Sequence, residues 1–146
     1  RKRLIESISN EHQQDGMDAT LIKITTNKLE YASANNKAVV IRNNELIELG
    51  CDKMPIGKSP KEDQSFSSFS FDLLKGDCIY LFTDGFADQF GGANGKKFKY
   101  KQLHSMLIAN SAEPMERQKE ILSNAFEVWK GNLEQIDDVT LMGVRV

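Results

Sequence analysis

Histidine and cysteine are scarce in this chain, with two of each among 146 residues. His12, His104, Cys51 and Cys78 stand far apart, so their spacing supports neither a disulfide framework nor a His/Cys zinc cluster. Cys78 lies inside an apolar run, where a reduced cysteine behaves as a small hydrophobe; this predicts a reducing, cytoplasmic environment. No apolar run approaches the length needed to cross a bilayer, and the opening Arg1-Lys2-Arg3-Leu4-Ile5-Glu6 has no signal-peptide core. There is no basic excess either. A net charge of -2 argues against a general nucleic-acid binder. What remains is a globular composition, 40% hydrophobic and 27% charged, at a length that fits one domain with a real core. The chain opens in a helical pattern without a start methionine, which predicts a fragment of something longer.

Leu4, Ile5 and Ile8 fit a short amphipathic helix, followed by a turn at Gln13-Gln14-Asp15-Gly16. Short apolar or alternating stretches follow at 19–24, 29–34, 38–42 and 46–49. Thr26-Asn27, Asn35-Asn36 and Asn43-Asn44 break them, as in a meander of hairpins. A loop carrying Pro55-Ile56-Gly57 leads to Phe69, Phe71 and Leu73, which alternate with polar residues as in a strand with one buried face. Lys75-Gly76-Asp77 turns the chain into the apolar run 78–82. After a glycine-containing loop at 89–97, Tyr100, Leu103 and Leu107 follow helical spacing. A second helix is predicted from about Pro114 to Lys130, with Ile121, Leu122, Ala125, Phe126 and Trp129 on its apolar face and Gly131 just past its end. A last strand closes the chain. Strands, two helices and a strand predict an α+β domain in which helices cover one face of a mainly antiparallel sheet.

The chemistry concentrates at two places. The run Cys78-Ile79-Tyr80-Leu81-Phe82 ends in Thr83-Asp84-Gly85, and Asp137-Asp138 immediately precedes Val139-Thr140-Leu141-Met142-Gly143-Val144. If these strands are antiparallel neighbours, the end of one meets the start of the other, and carboxylates distant in sequence converge at one rim. Such an arrangement suits a hard, oxygen-ligated divalent cation.

The segment from Gly76 to Gly85 resembles the one around a metal-binding aspartate in bacterial serine/threonine phosphatases of the stage II sporulation protein E type, a branch of the metal-dependent phosphatase 2C superfamily. Further similarities occur in the family's order. They are Asp15-Gly16-Met17-Asp18 before a strand, the hairpin segment Leu29 to Asn36, the loop Met54-Pro55-Ile56-Gly57 and the final Asp137-Asp138-Val139-Thr140. The resemblance implies part of a phosphatase 2C-like α-β-β-α sandwich, with residues 1–146 as the C-terminal portion of a single domain. It implies Asp84 and Asp137 as metal ligands, with Asp138 a less direct neighbour, and two Mn²⁺ or Mg²⁺ ions in the complete domain. Those ions hold a water that attacks the phosphorus of a phosphoserine in line. The implied substrate is a phosphoserine protein of a bacterial signalling pathway, often an anti-sigma-factor antagonist.

The family's earlier motifs, a metal-binding aspartate and an aspartate-x-x-glycine-histidine-glycine element, do not occur in this chain. The expectation is therefore an incomplete centre, a polypeptide with little activity alone, and an exposed sheet edge or apolar face that invites self-association. The alternative is a phosphatase-like module that binds a partner protein without catalysis. Other polar features read more simply. Asp15 and Asp18 fit a turn and the start of a strand, Gly91, Gly92 and Gly95 a flexible connection, and Lys96, Lys97, Lys99 and Lys101 a solvated charged face. Asp88, four residues beyond Asp84, is placed to hydrogen-bond behind it.

Overall fold

A computed structural model describes residues 16–57, 60–61 and 63–146. The helix expected around Leu4 to Ile8 and Asp15 of the first turn lie outside the described residues. Contacts divide the described residues into two compact units, one of those within 16–38 and 48–74, the other of residues 39–47 and 75–146.

The first unit is a three-stranded antiparallel sheet in the order β2 (Ala19–Ile24), β3 (Lys28–Ala34), β7 (Phe69–Asp72). β3 is central, and its alternate residues Leu29 and Tyr31 are buried as its pleat demands. Phe69 stacks on Tyr31 with ring centroids 5.2 Å apart, and the Tyr31 hydroxyl accepts the Gly50 amide at 3.1 Å. A two-residue bridge pairs β1 (Gly16–Met17) with β6 (Ile56–Gly57).

The second unit carries the helices. Its sheet has the order β11 (Leu141–Arg145), β8 (Cys78–Phe82), β4 (Val39–Arg42), β5 (Glu45–Glu48). Asn43 and Asn44 join β4 to β5 at φ +51° and +62°, the left-handed pair that a tight hairpin favours and asparagine tolerates. β8 is flanked on both sides, with Val39 opposite Tyr80 on one and Leu141 opposite Phe82 on the other. Cys78, Tyr80 and Phe82 alternate onto one face. There they join the hydrophobic cluster made with α1 (Gly85–Asp88), α2 (Tyr100–Ala109) and α3 (Met115–Lys130).

Helix α3 begins after Pro114 and ends at Gly131, whose φ of +55° suits a residue without Cβ. It buries Gln118, Leu122 and Phe126, one per turn. Phe86 meets Phe98 and Phe126 edge-on at 5.0 and 5.1 Å, and Phe98 meets Trp129 at 5.2 Å. Each such pair contributes about 0.5–1.5 kcal/mol beyond the area it buries.

Two polar contacts fix the sheet beneath this layer. Tyr80 donates its hydroxyl hydrogen to Gln118 Oε1 at 2.7 Å, and Gln118 Nε2 donates to the Glu113 carbonyl at 2.8 Å. Arg42 grips the buried Asp77 through two hydrogen bonds of 2.9 and 2.6 Å. The architecture is α+β with antiparallel sheets, as the pattern of strands and helices implied.

Candidate metal centre

β8 and β11 are antiparallel neighbours, paired in register from Cys78–Arg145 to Phe82–Leu141. Their pairing continues past the strands through one side chain. The Thr83 amide donates to the Thr140 carbonyl at 3.0 Å, while the Thr83 hydroxyl donates to the Asp138 carbonyl at 2.7 Å and accepts the Thr140 amide at 3.0 Å. The hydroxyl thus takes a ladder position that a backbone group would otherwise fill. Asp84 and Asp138 consequently leave the sheet at the same rim.

Gly85 completes the junction. A Cβ at this position would lie 2.5 Å from the Asp138 carbonyl oxygen and 3.2 Å from Val139 Cγ2, so only glycine lets the two segments approach this closely.

Asp84 occupies the N-cap position of α1, but its carboxylate makes no capping hydrogen bond and is exposed. Asp137 and Asp138 are exposed as well. Asp137 Oδ1 accepts the Asp138 amide at 2.7 Å, and its carbonyl accepts Gln135 Nε2 at 2.8 Å, which shapes the loop before β11. Asp88 pairs with Lys97 at 3.0 Å. Tyr100 stands close by. Burial, then the charges of Asp84 and Asp88, push its hydroxyl above the ordinary tyrosine range. Phe82, Tyr100 and His104 form a ring cluster with centroids 5.9–6.1 Å apart.

The rim offers exposed carboxylate oxygens, the donor type that Mn²⁺ and Mg²⁺ prefer. The donor number falls short. Among the described residues no three His, Cys, Asp or Glu side chains gather closely enough to hold an ion.

The other singled-out residues fall elsewhere. Asp18 accepts a hydrogen bond from Asn35 Nδ2 at 2.8 Å in the first unit. The stretch read as a loop at 89–97 contains a small hairpin, β9 (Phe90–Gly91) paired with β10 (Lys96–Lys97). Gly91 and Gly92 are there for packing. A Cβ on Gly91 would meet the Trp129 carbonyl oxygen at 1.9 Å, and the Gly92 amide donates to that oxygen at 2.8 Å. A groove of about 620 Å³ between α3 and β11 is lined by Tyr80, Met115, Leu122 and Phe126, and none of the three aspartates lines it. β11 is an edge of its sheet among the described residues, with Met142 57% exposed. Sequence reasoning missed Thr83, Gly85 and Tyr100 as shapers of the rim. The signal for the first two was present, since they bracket Asp84.

The profile of the family described as stage II sporulation protein E (SpoIIE) matches residues 2–146. The chain belongs to this family. Among solved structures it is similar to the SiaA-PP2C domain of Pseudomonas aeruginosa, at 27% identity and a TM-score of 0.87 over 99% of this chain and 57% of that one. It is also similar to the phosphatase domain of SpoIIE from Bacillus subtilis, presoaked with manganese, at 14% identity and a TM-score of 0.63 over 90% of this chain and 56% of that one. The catalytic domain of PstP, solved with two manganese ions, is similar at 17% identity and a TM-score of 0.53 over 86% of this chain and 56% of that one. No curated protein matches. The chain thus spans less than two thirds of the length of these phosphatase domains, and its fold and family are those of a PP2C-type phosphatase domain. No helix among the described residues is long and apolar enough to cross a membrane.

Proposed function

We propose that this chain supplies one share of a metal-dependent centre that hydrolyses phosphoserine or phosphothreonine on a bacterial signalling protein, with Asp84 and Asp137 as ligands and Asp138 beside them. The observation that carries the reading is the Thr83–Asp138–Gly85 junction, which brings acidic residues distant in sequence to one rim in a chain of the SpoIIE family. The donor chemistry fits Mn²⁺ or Mg²⁺, and the manganese in the SpoIIE and PstP structures supports that choice. Bound ions would supply an activated water and offset charge on the phosphoryl oxygens. This chain's own residues hold the two acidic segments in register.

With fewer than three donors gathered among the described residues, the proposal is that the 146-residue chain alone has little or no phosphatase activity and that the working enzyme is a longer parent protein acting in the cytoplasm. An anti-sigma-factor antagonist is the proposed substrate type, on family resemblance. The edge of β11, unpaired among the described residues, is the proposed route to self-association of the isolated chain. The test is Mn²⁺-dependent release of phosphate from a phosphoserine protein by the full-length parent and its Asp84→Asn and Asp137→Asn variants. Loss of about a hundredfold or more in kcat supports the assignment. Unchanged turnover by either variant removes that aspartate from the centre.

The absence of a three-donor group among the described residues favours a second reading, a phosphatase-like module that binds a partner without catalysis. A parent protein inactive with Mn²⁺ and Mg²⁺, yet able to bind its partner, would establish that reading instead.

A further inference from the structure

The segment from Gln89 to Ala112 contains Lys96, Lys97, Lys99 and Lys101 and no aspartate or glutamate, a local charge of +4 in a chain of net charge -2. The fold places this charge beside the acidic rim. The Phe98 amide donates to the Gln89 carbonyl at 2.9 Å and the Lys99 amide to the Ala87 carbonyl at 2.7 Å, so the segment runs back along α1, the helix that begins at Asp84. Phe98 is buried against Phe86, which anchors the strip from below. Lys99 is held at φ +74°, an uncommon conformation for a side chain with Cβ.

Lys97 is neutralised by Asp88. Lys96, Lys99 and Lys101 are exposed and form no salt bridge among the described residues, and Tyr100 between them is 42% exposed. Three uncompensated ammonium groups and a tyrosine therefore stand on the segment that runs back along the helix begun at Asp84, on a backbone fixed at several points. Exposed charges act over about 8 Å at physiological ionic strength, so the strip attracts acidic groups that pass close to it.

Resting on the phosphatase reading, we infer that the Lys96–Lys101 strip is a docking surface for acidic residues that flank the phosphorylated residue of the protein substrate. Lysine ammonium groups spread over a strip suit several separate carboxylates better than one phosphate, which bidentate arginine would grip. Opposite potentials across such a contact raise the rate of encounter and select the partner. Nucleic acid fits less well, because the patch is local and the rest of the chain is acidic overall.

The test compares the wild-type chain with K96E/K99E/K101E and with the milder K96Q/K99Q/K101Q. Fluorescence anisotropy measures binding of a phosphoserine peptide flanked by glutamates, of the same peptide flanked by glutamines, and of a DNA oligonucleotide of matched charge. The expected result is at least tenfold tighter binding of the glutamate-flanked peptide by wild type at low salt, weakened severalfold in 0.3 M salt and by the glutamine variant and abolished by the reversal, with melting temperatures unchanged. Equal binding of the two peptides, equal binding of DNA, or a preference that survives charge reversal overturns the inference. In the full-length parent, kcat/KM for the glutamate-flanked peptide falls about tenfold on reversal, while p-nitrophenyl phosphate is hydrolysed within twofold of wild type. A parallel fall on both substrates overturns the docking role. A wild-type parent that hydrolyses neither refutes the phosphatase reading alone, and the binding measurements still decide the docking surface.

Discussion

Gly85→Ala isolates the contact on which the rim depends. The added Cβ would sit 2.5 Å from the Asp138 carbonyl oxygen, where ordinary contact begins at 3.4 Å, so the segments must separate by about 0.9 Å. The Thr83 hydroxyl lies 2.7 Å from the same oxygen. Separation by that amount takes it to about 3.6 Å, outside hydrogen-bond range. Overpacking a tight site costs about 1–3 kcal/mol and the lost hydrogen bond about 0.5–1.5 kcal/mol, together about 1.5–4.5 kcal/mol. For a chain of this size that is a fall in melting temperature of roughly 6–15 °C. Circular dichroism melts of the wild-type chain and G85A measure it. G95A is the control, because Gly95 has φ +56° but open space around it, so its cost is backbone strain of about 1–2 kcal/mol alone. In the full-length parent, G85A should also raise the Mn²⁺ concentration for half-maximal activity about tenfold, since one acidic segment is displaced from the other. A G85A chain melting within 2 °C of wild type, with unaltered Mn²⁺ dependence, would refute the contact and the reasoning built on it.

Asp84→Asn should leave the melting temperature of the isolated chain within about 1 °C, because the carboxylate is exposed and caps nothing, while it removes Mn²⁺-dependent turnover in the parent; a large stability change would mark a structural role instead. Arg42→Ala leaves the buried Asp77 carboxylate without its main cation and should cost about 3–5 kcal/mol in urea unfolding, and a cost under 1 kcal/mol would contradict the buried ion pair. Burial, then Cys78, holds the Tyr80 hydroxyl well above its ordinary range, so the folded state favours the neutral phenol. Its contribution is complete below the unfolded value near pH 10 and is lost as pH rises beyond it; Tyr80→Phe should flatten the decline in the urea midpoint above about pH 10, and an identical decline would exclude Tyr80 as a source.

The pairing of β8 with β11 was legible because each apolar run is bounded by acidic residues. Two apolar runs with polar ends have few ways to pair. The span of α3 was legible from Pro114, Gly131 and the spacing of Leu122 and Phe126. The short helix α1 was not, because Phe86 and Ala87 are too few apolar residues to show a period. Gly91 and Gly92 looked like flexibility in sequence. Their necessity comes from Trp129, a residue distant along the chain, and local pattern carries no record of such a contact. The meeting of the Asp84 and Asp138 segments at one rim was legible from the two apolar runs, but Tyr100 and the lysine strip reach the helix begun at Asp84 through the return of the chain along α1, which only the tertiary structure displays.

β8 and β11 are tied at both ends. At the far end the Gly76 amide donates to the Val146 carbonyl at 2.6 Å and the Val146 amide to the Asp77 carbonyl at 3.0 Å, and at the rim Thr83 clasps Asp138 and Thr140. Everything between Gly85 and Asp137 is therefore a loop whose two ends are already fixed, however many residues it holds. Doubling the length of such a loop costs only about 0.6 kcal/mol in closure entropy. Extra residues in an exposed connection of this stretch, such as the turn at Gly92–Gly95, then leave the acidic rim its spacing, while the helices themselves stay fixed by the core they build. A single residue inserted within Cys78–Gly85 or Asp138–Arg145 would instead turn the pleat over and carry an aspartate off the rim.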